Sequence, residues 1–286
     1  MSQREIKNKL LLNLREIIHR IYYDESNKGE NFSRILAFLG WQIWKRTIAR
    51  PLHIQLFNGL RCIAYPDCQT SSSAIYFRVP DYREIFLLRR RLNKGLMIDI
   101  GANVGLFTLL LSDIMDQVIL FEPNPLAAQR AKENINLNHL NAAVYAVAVS
   151  SNDGYIFLED RGGTDSTNMT VRNLRDSAFP VRKVPCTTLD NFLDLKSSLS
   201  VSLIKIDVEG HENDVIKGMN KTLINLRPQI VMFEYLQRTN FVETKALFDA
   251  AGYRIYQIGK IEDLIPVHGQ PRPLQNLFAL PKELPI

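Results

Sequence analysis

The stretch Met97-Ile-Asp-Ile-Gly-Ala-Asn-Val-Gly-Leu-Phe-Thr108 decides the fold of this chain. Residues up to Ile100 have strand character, and the apolar run Leu106–Leu111 is typical of a helix. Gly101 and Gly105 form the turn between them: the first can adopt a positive φ, and the second, without a Cβ, lets the helix start close to the strand and to a ligand. The unpaired N–H groups at the helix start would face whatever lies over this turn.

The glycine spacing is Gly-x-x-x-Gly, which differs from the Gly-x-Gly-x-x-Gly of dinucleotide folds. On its own it fits a tight structural turn as well as a ligand-binding turn. The next strand, Val118–Phe121, ends at Glu122, an acidic residue about 20 residues beyond the turn, where it can accept hydrogen bonds from a ribose. The two features together predict a ligand that contains adenosine.

The size and composition suit a soluble chain with one large α/β domain and a small N-terminal addition. The chain has 286 residues, of which 46% are hydrophobic and 23% are charged. Residues 1–50 contain ten Lys or Arg against five Asp or Glu, so they account for the whole formal charge of +5. Because the remainder is neutral, we expect a locally basic N-terminal face and no nucleic-acid partner.

The cysteines and the N-terminus indicate the compartment. Cys62, Cys68 and Cys186 lack the close Cys-x-x-Cys spacing of zinc and redox sites, which is typical of a reduced environment. The chain is polar and charged through Lys9, unlike a secretion signal, and no apolar run has the length of a membrane span. We therefore expect a cytoplasmic protein.

Residues 1–50 are predicted to form basic amphipathic helices that break at Ser26–Gly29. The second helix combines Trp41 with Lys45 and Arg46, a mixture that can lie on an anionic membrane surface. Alternatively the helix packs on the main domain and keeps its basic side in solvent. Packing is favoured because amphipathic helices more often face a core. In the membrane case, residues 1–50 would make a peripheral contact with the inner face of a membrane.

Residues 51–80 are predicted to form short strands that cover the ligand site. Ile54–Phe57 and Ala74–Val79 have the expected apolar pattern. Farther along the chain, the span 160–178 is polar and irregular, and it is predicted to be a mobile loop over the same site.

The main domain is predicted to span residues 81–286. After Glu122, a helix through Leu137 and a third strand at Ala143–Val149 continue the alternation of strands and helices. Because the strands are almost continuously apolar, this order predicts a parallel sheet that is covered by helices on both faces.

A second group of polar residues follows the predicted strand Leu203–Ile206. The group consists of Asp207, Glu209, His211 and Glu212. Ligands of open α/β sheets bind outside the carboxyl ends of the strands, so this group lies at the same rim as Glu122. The fifth predicted strand, Pro228–Phe233, puts Glu234 at that rim as well.

Four motifs carry a resemblance to a known family: Asp99-Ile-Gly-Ala-Asn-Val-Gly105, Phe121-Glu-Pro-Asn124, Lys205-Ile-Asp-Val-Glu-Gly-His-Glu212 and Asn276-Leu-Phe-Ala279. Through them, the chain resembles the FkbM family of S-adenosylmethionine-dependent methyltransferases from about Glu84 to Pro281. Residues 1–80 lie outside the resemblance. It implies a class I methyltransferase (Rossmann-like) fold, whose seven-stranded, mostly parallel sheet has an antiparallel last strand. The N-terminal helices are an extension to this fold.

The resemblance also implies S-adenosyl-L-methionine as the cofactor. The glycine turn would surround its methionine part, and Glu122 would bind its ribose hydroxyls. The expected cofactor-binding residues are Asp99, Gly101, Ala102, Asn103, Gly105, Glu122, Pro123 and Asn124. Class I enzymes often hold the adenine amine with an acidic residue after the third strand, but none occurs here before Asp153, so no adenine contact is assigned.

Methyl transfer to a hydroxyl is an in-line displacement in which the acceptor also loses a proton, so a base is expected nearby. Asp207 and His211 are the catalytic candidates, since imidazole titrates near neutral pH and Asp207 is closer to the sheet rim. Alternatively, His211 and Glu212 cap the following helix. Asp207, Glu209 and His211 have donor types that suit a divalent metal, but no second ligand cluster is evident, and no metal is predicted. Lys205 is expected to pair with a neighbouring carboxylate.

Three functions therefore stay in view. The favoured one is an O-methyltransferase that acts on a hydroxyl of a sugar, a glycan or a secondary metabolite. A nicotinamide-dependent oxidoreductase is the alternative among enzymes, although the third glycine of the dinucleotide turn is missing. A catalytically idle scaffold protein that binds S-adenosylmethionine is the alternative from another class, because a fold alone does not decide activity.

Overall fold

The computed structural model describes residues 14–160, 177, 179–193, 200–259 and 263–285. Its strands are β1 (Leu52–Gln55), β2 (Arg61–Ala64), β3 (Leu96–Ile100), β4 (Gln117–Phe121), β5 (Ala142–Tyr145), β6 (Ala148–Val149), β7 (Gly154–Glu159), β8 (Val181–Thr187), β9 (Val201–Ile206), β10 (Ile230–Tyr235), β11 (Tyr253–Ile258), β12 (Leu264–Pro266) and β13 (Gln275–Pro281). Its helices are α1 (residues 14–23), α2 (Asn31–Thr47), α3 (Gln69–Tyr76), α4 (Tyr82–Arg91), α5 (Leu106–Leu111), α6 (Pro125–Leu137), α7 (Leu189–Phe192), α8 (Glu212–Lys217), α9 (Asn220–Asn225) and α10 (Phe241–Ala250).

The large sheet has the strand order β12-β11-β13-β10-β9-β3-β4-β5. The strands from β10 to β5 in this order run parallel, whereas β13 is antiparallel to both β10 and β11. Without β12, this is the seven-stranded class I arrangement, so the predicted fold class is confirmed. The eighth strand, β12, pairs antiparallel with β11 at the edge. The sequence prediction missed it because a three-residue strand is too short for a recognisable alternation.

Helices cover the large sheet on both faces, as predicted. All five residues of β3 are buried. Met97 belongs to the core cluster formed with α4, α5 and α6, whereas Ile98 and Ile100 belong to the cluster formed with α8, α9 and α10. Because side chains alternate along a strand, Asp99 lies on the same face as Met97, towards α5.

The N-terminal helices pack on α3 through their inner face. The predicted break at Ser26–Gly29 is confirmed, since a short 3-10 turn separates α1 from α2. Phe38 and Trp41 of α2 are buried, and the indole N–H of Trp41 donates to Ser72 Oγ of α3 (2.9 Å). Asn27 is fully buried and donates to one backbone carbonyl of α1 and to one of α3. These contacts join the extension firmly to α3.

The strand predicted at Ala74–Val79 is wrong, because α3 continues to Tyr76 and no strand follows in this segment. The reason lies upstream, where the helix begins. Cys68 Sγ accepts from the N–H of Ser71, and Ser72 Oγ donates to the Cys68 carbonyl (2.7 Å). A polar serine run thus starts a helix whose apolar end resembles a strand pattern. Residues 51–80 therefore contain one hairpin, β1–β2, and one helix.

The third strand predicted at Ala143–Val149 is divided in two. β5 ends at Tyr145 in the large sheet, and β6 belongs to a three-stranded sheet with β8 and β7. The predicted mobile loop at 160–178 lies outside the described residues, except for residues 160 and 177, and stays a prediction. Within the described ranges, every helix is too short or too polar to cross a bilayer.

Candidate functional site

A cavity of about 350 Å³ opens at the carboxyl ends of the parallel strands. Four strand ends contribute one residue each: Gly101 after β3, Glu122 after β4, Asp207 after β9 and Glu234 in β10. This is the rim where ligands of open α/β sheets bind. The two motif regions recognised in the sequence therefore meet in one cavity.

The turn after β3 has no room for a side chain at its first position. Gly101 adopts φ +78°, and a Cβ there would lie 1.8 Å from the carbonyl oxygen of Asp207. The N–H groups of Gly101 and Ala102 both donate to the carbonyl of Phe121, at 2.9 and 3.1 Å. The N–H of Asp207 donates to the carbonyl of Ile100 (3.0 Å). Main-chain hydrogen bonds thus join the ends of β3, β4 and β9.

Glu122 is held by main-chain donors on both sides. Its Oε2 accepts from the N–H of Asn103 (2.8 Å), and its Oε1 accepts from the N–H of Asn124 (2.8 Å). Asn103 has a left-handed backbone, with φ 50°, in the turn that presents this N–H. Burial raises the pKa of Glu122 to about 7, although both hydrogen bonds favour the carboxylate. The carboxylate keeps further lone pairs that can accept from a pair of neighbouring hydroxyls.

The other residues predicted to bind a cofactor fall into two sets. Those that line the cavity are Ala102, Asn103, Pro123 and Asn124. Asp99 and Gly105 lie behind the wall, where Gly105 begins α5. Beyond Glu122 the wall is apolar and consists of Phe121, Val147, Val149, Ile156 and Leu158. The third-strand region, which lacks an acidic residue, therefore supplies an apolar surface.

Lys205 bridges two carboxylates beneath the turn. Its Nζ lies 3.4 Å from Asp99 Oδ1 and 3.2 Å from Asp207 Oδ2, which confirms the predicted ion pair. Asp99 is fully buried, and its Oδ2 accepts from Thr108 Oγ1 (2.8 Å). Burial opposes the charge on Lys205, but the carboxylates of Asp207 and Asp99 outweigh it and raise the pKa of Lys205. The lysine therefore stays cationic between the two carboxyl groups.

The loop after β9 is tied to the protein by His211 and Glu212. The His211 ring has Ser150 Oγ at 2.9 Å from Nε2 and Asp214 Oδ2 at 3.2 Å from Nδ1. Glu212 is fully buried, and its Oε1 accepts from the N–H of Gly210 (2.9 Å). Both ring nitrogens of His211 thus have protein partners, and Glu212 holds the loop that carries Asp207.

Glu234 is a site residue to which sequence reasoning assigned no role. It lines the cavity at the end of β10, and its Oε2 is buried without a hydrogen-bond partner among the described residues. Burial, together with the negative charges of Asp207, Glu209 and Glu212, raises the pKa of Glu234 from 4.5 to about 8. The sequence signal was its position at the end of an apolar strand.

Comparison with known families decides the class of this site. The methyltransferase FkbM domain matches residues 99–255, more than half of the 286 residues. The chain belongs to the FkbM methyltransferase family. The match includes the glycine turn, Glu122, the loop after β9 and Glu234. The resemblance seen in the sequence is confirmed, and the family and the fold identify a methyltransferase.

Relatives of this FkbM methyltransferase are 25% to 29% identical to it over the aligned segments. Methyltransferase 1 of Beauveria bassiana is 25% identical over 181 residues, 56% of this chain and 72% of the relative. The hexuronic acid methyltransferase AglP of Haloferax volcanii is 26% identical over 145 residues, 51% of this chain and 58% of AglP. The 2-O-methyltransferase NoeI of Sinorhizobium fredii is 29% identical over 147 residues, 46% of this chain and 60% of NoeI. The chain thus spans less than two thirds of AglP and NoeI.

Solved structures of low sequence identity also align with the FkbM methyltransferase. The tRNA (uracil-54, C5)-methyltransferase of Pyrococcus abyssi, in complex with S-adenosyl-L-homocysteine, has a TM-score of 0.43 and 16% identity, and the alignment covers 80% of this chain and 43% of that chain. The precorrin-6y C5,15-methyltransferase of Geobacter metallireducens has a TM-score of 0.38 and 14% identity. Its alignment covers 70% of this chain and 88% of that chain.

The FkbM methyltransferase closes its cavity with residues from outside the family match. Among these residues are Arg20 of α1, Asp24 directly after this helix, Thr70 and Ser73 of α3, and the adjoining Phe77. The guanidinium carbon of Arg20 lies 5.4 Å from the centroid of the Phe77 ring. Sequence reasoning named none of them, because residues 1–80 carry no motif. The described part of the chain contains no cluster of three or more His, Cys, Asp or Glu side chains that could hold a metal ion.

Proposed function

We propose that this methyltransferase transfers a methyl group from S-adenosylmethionine to a hydroxyl of a sugar, a glycan or a secondary metabolite. One observation carries the proposal: Glu122, held by two backbone N–H groups, lines the same cavity as Asp207 and Glu234. A fixed carboxylate suits the ribose diol of a nucleoside cofactor, and the other two suit a hydroxyl acceptor. The names of AglP and NoeI, a hexuronic acid methyltransferase and a 2-O-methyltransferase, support this class of acceptor.

The residues of the cavity fit the proposed cofactor. The tight turn at Gly101 leaves no space for a Cβ. This turn, together with Asn103, would hold the methionine part of the cofactor. Glu122 would accept hydrogen bonds from the ribose hydroxyls, and the apolar wall from Val147 to Leu158 would hold the adenine without an acidic contact. When bound, the cofactor supplies an electrophilic methyl group.

Asp207 is the proposed base. Its side chain is 44% exposed and lines the cavity, and Lys205 Nζ lies 3.2 Å from its Oδ2. As the acceptor oxygen takes the methyl group, the sulfur–methyl bond of the donor would break and the thioether would leave with its electron pair. The acceptor's O–H bond would break at the same time, and Asp207 would take the proton. We assign His211 a positioning role rather than proton transfer, because both of its ring nitrogens have protein partners.

The acceptor half of the cavity is rich in groups that bind hydroxyls. Thr70 and Ser73 provide hydroxyls, and Asp81 and Glu234 provide carboxyl groups. The Phe77 ring offers a flat apolar face of the kind that packs against a sugar ring. Because the carboxyl groups outnumber the cations here, this half suits a neutral, hydroxyl-rich ring at the reacting end of the acceptor.

The test is methyl transfer from S-adenosylmethionine with a labelled methyl group to a panel of hydroxylated acceptors. The panel contains free sugars, glycans and phenols, and the products are analysed for methyl ethers. The wild-type protein should form a labelled methyl ether, and the Asp207→Ala variant should not. Binding of the cofactor without transfer to any acceptor, in either protein, would instead favour the idle scaffold. Label on nitrogen or carbon would contradict O-methylation.

A further inference from the structure

An apolar stripe runs along the outer face of α2. It consists of Phe32, Leu36, Leu39 and Ile43, which are 71%, 53%, 38% and 65% exposed. The spacing of four, three and four residues puts all four side chains on one side of a helix. Large exposed apolar side chains in a continuous row are uncommon on a protein surface that has no partner.

The stripe is not the packing face of the helix. Phe38 and Trp41, which lie on the other side, are buried against α3. The helix is therefore apolar on two faces, and its inner face alone explains how it packs. The exposures show that none of the described elements covers the outer face. Tyr22 and Tyr23, at the end of α1, are exposed as well, and Asn31 at the start of α2 donates to the Tyr22 carbonyl. The tyrosines thus lie beside the start of the stripe.

Exposed basic residues adjoin this apolar surface along the chain, alongside the exposed acidic residue Glu25. Lys28, Arg46 and Arg50 are exposed, and none of them forms an ion pair within the described ranges. The acidic Glu30 is neutralised by Arg34 (2.9 Å). Residues 1–50 hold the entire positive excess of the chain. An apolar stripe with aromatic and basic neighbours is the pattern of helices that lie in the interface of an anionic membrane.

We propose that the outer face of α2, together with Tyr22 and Tyr23, docks on an anionic lipid surface. Apolar side chains would enter the headgroup region, and the three cations would face the lipid phosphates and carboxylates. A second copy of this chain is a poorer occupant, because like charges around the stripe would face each other across the interface.

The docking surface and the cavity share one element. Arg20 of α1 lines the cavity, and Tyr22 and Tyr23 of the same helix are exposed. Docking would therefore bring one wall of the cavity close to the lipid surface. The docking itself does not depend on the cofactor, whereas its use, to reach an acceptor attached to a lipid, rests on the proposed function.

Vesicle sedimentation with the full chain tests the proposal. The wild-type protein should bind mixed vesicles of phosphatidylcholine and phosphatidylserine about tenfold more tightly than vesicles of pure phosphatidylcholine. Added salt should weaken binding to the mixed vesicles. The double variant Leu36→Asn/Ile43→Asn should lose about tenfold in affinity for the mixed vesicles. The control Ile224→Asn/Val242→Asn, at exposed apolar residues elsewhere, should bind like the wild type.

Circular dichroism checks that each variant is folded. The single variant Arg46→Glu, at an exposed site, is a second test that leaves the apolar stripe intact. It should weaken binding to the mixed vesicles and leave binding to the neutral ones unchanged. Equal binding by the stripe variant and the wild type would overturn the proposal, as would no wild-type binding to the mixed vesicles. Light scattering gives a further outcome. If the wild-type protein is a dimer that does not bind vesicles, and Leu36→Asn/Ile43→Asn is a monomer, the face would be assigned to a second copy. Unaltered cofactor binding in these variants keeps this test separate from the proposed function.

Discussion

The two halves of the cavity are built by different means. In the cofactor half, the main chain sets the geometry: Gly101 leaves no room for a Cβ, and backbone N–H groups fix the Glu122 carboxylate. In the acceptor half, side chains from distant segments converge, among them Phe77, Asp207 and Glu234. A turn whose geometry is set by the main chain requires particular residues close together in the sequence. Side chains that converge from distant segments leave no such pattern. The difference explains why the sequence revealed the cofactor half, whereas in the acceptor half it revealed Asp207 through its motif but not Phe77.

The largest expected effect lies in the acceptor half. Asp207→Asn should lower kcat by about 1,000-fold, because the acceptor hydroxyl loses its base, while the affinity for S-adenosylmethionine changes little. Initial rates and calorimetry on the same preparations measure the two quantities. Asp116→Asn, at an exposed residue away from the cavity, is the matched control. An equal loss of kcat and cofactor affinity would erase the distinction between the halves.

A smaller but still large effect is expected for the glycine turn. Gly101→Ala should weaken S-adenosylmethionine binding by about 100-fold, because the new Cβ would lie 1.8 Å from the Asp207 carbonyl and displace the turn. Gly105→Ala is the matched control: it has the same φ of +78°, but its Cβ would be 3.5 Å from its nearest neighbour, Leu120. Both variants carry similar backbone strain. The difference between their affinities for S-adenosylmethionine, measured by calorimetry, therefore reports the steric clash at Gly101. Similar affinities in the two variants would contradict the importance of close approach at Gly101.

Glu122→Gln should have an intermediate effect, about tenfold in affinity for S-adenosylmethionine. The amide keeps one acceptor oxygen, but its NH₂ group faces a backbone N–H donor, from either Asn103 or Asn124. Glu16→Gln on the exposed side of α1 serves as the control. Affinity for a free sugar acceptor should stay unchanged, and a loss there would mean that the two halves share this residue.

The smallest effect concerns the pH dependence of stability. The pKa of Glu234 is raised to about 8, mainly by burial, so the folded state keeps this proton to higher pH than the unfolded state. The free energy of unfolding should therefore fall as the pH rises from the ordinary pKa of 4.5 to about 8. Glu234→Gln should reduce this fall, as measured by urea unfolding on either side of the range. An identical fall in both proteins would mean that Glu234 is not the buried acid.

The same contrast separates what could be predicted from what could not. The central sheet, the glycine turn and Glu122 are local in sequence, so pattern and spacing reveal them. The division of the third strand, the helix that ends at Tyr76 and the contact between Ser150 and His211 depend on neighbours far along the chain. Glu234 belongs to the second kind, since its pKa is raised first by burial and then by the carboxylates of another loop, and both depend on the folded chain.

The most direct test of the central claim is calorimetric titration of the purified full chain with S-adenosylmethionine, S-adenosylhomocysteine and NAD. The turn at Gly101 and the carboxylate of Glu122 are expected to bind both sulfur ligands and to leave NAD unbound. Binding of NAD, or no binding of either sulfur ligand, would contradict the assignment of this half of the cavity to the methyl donor.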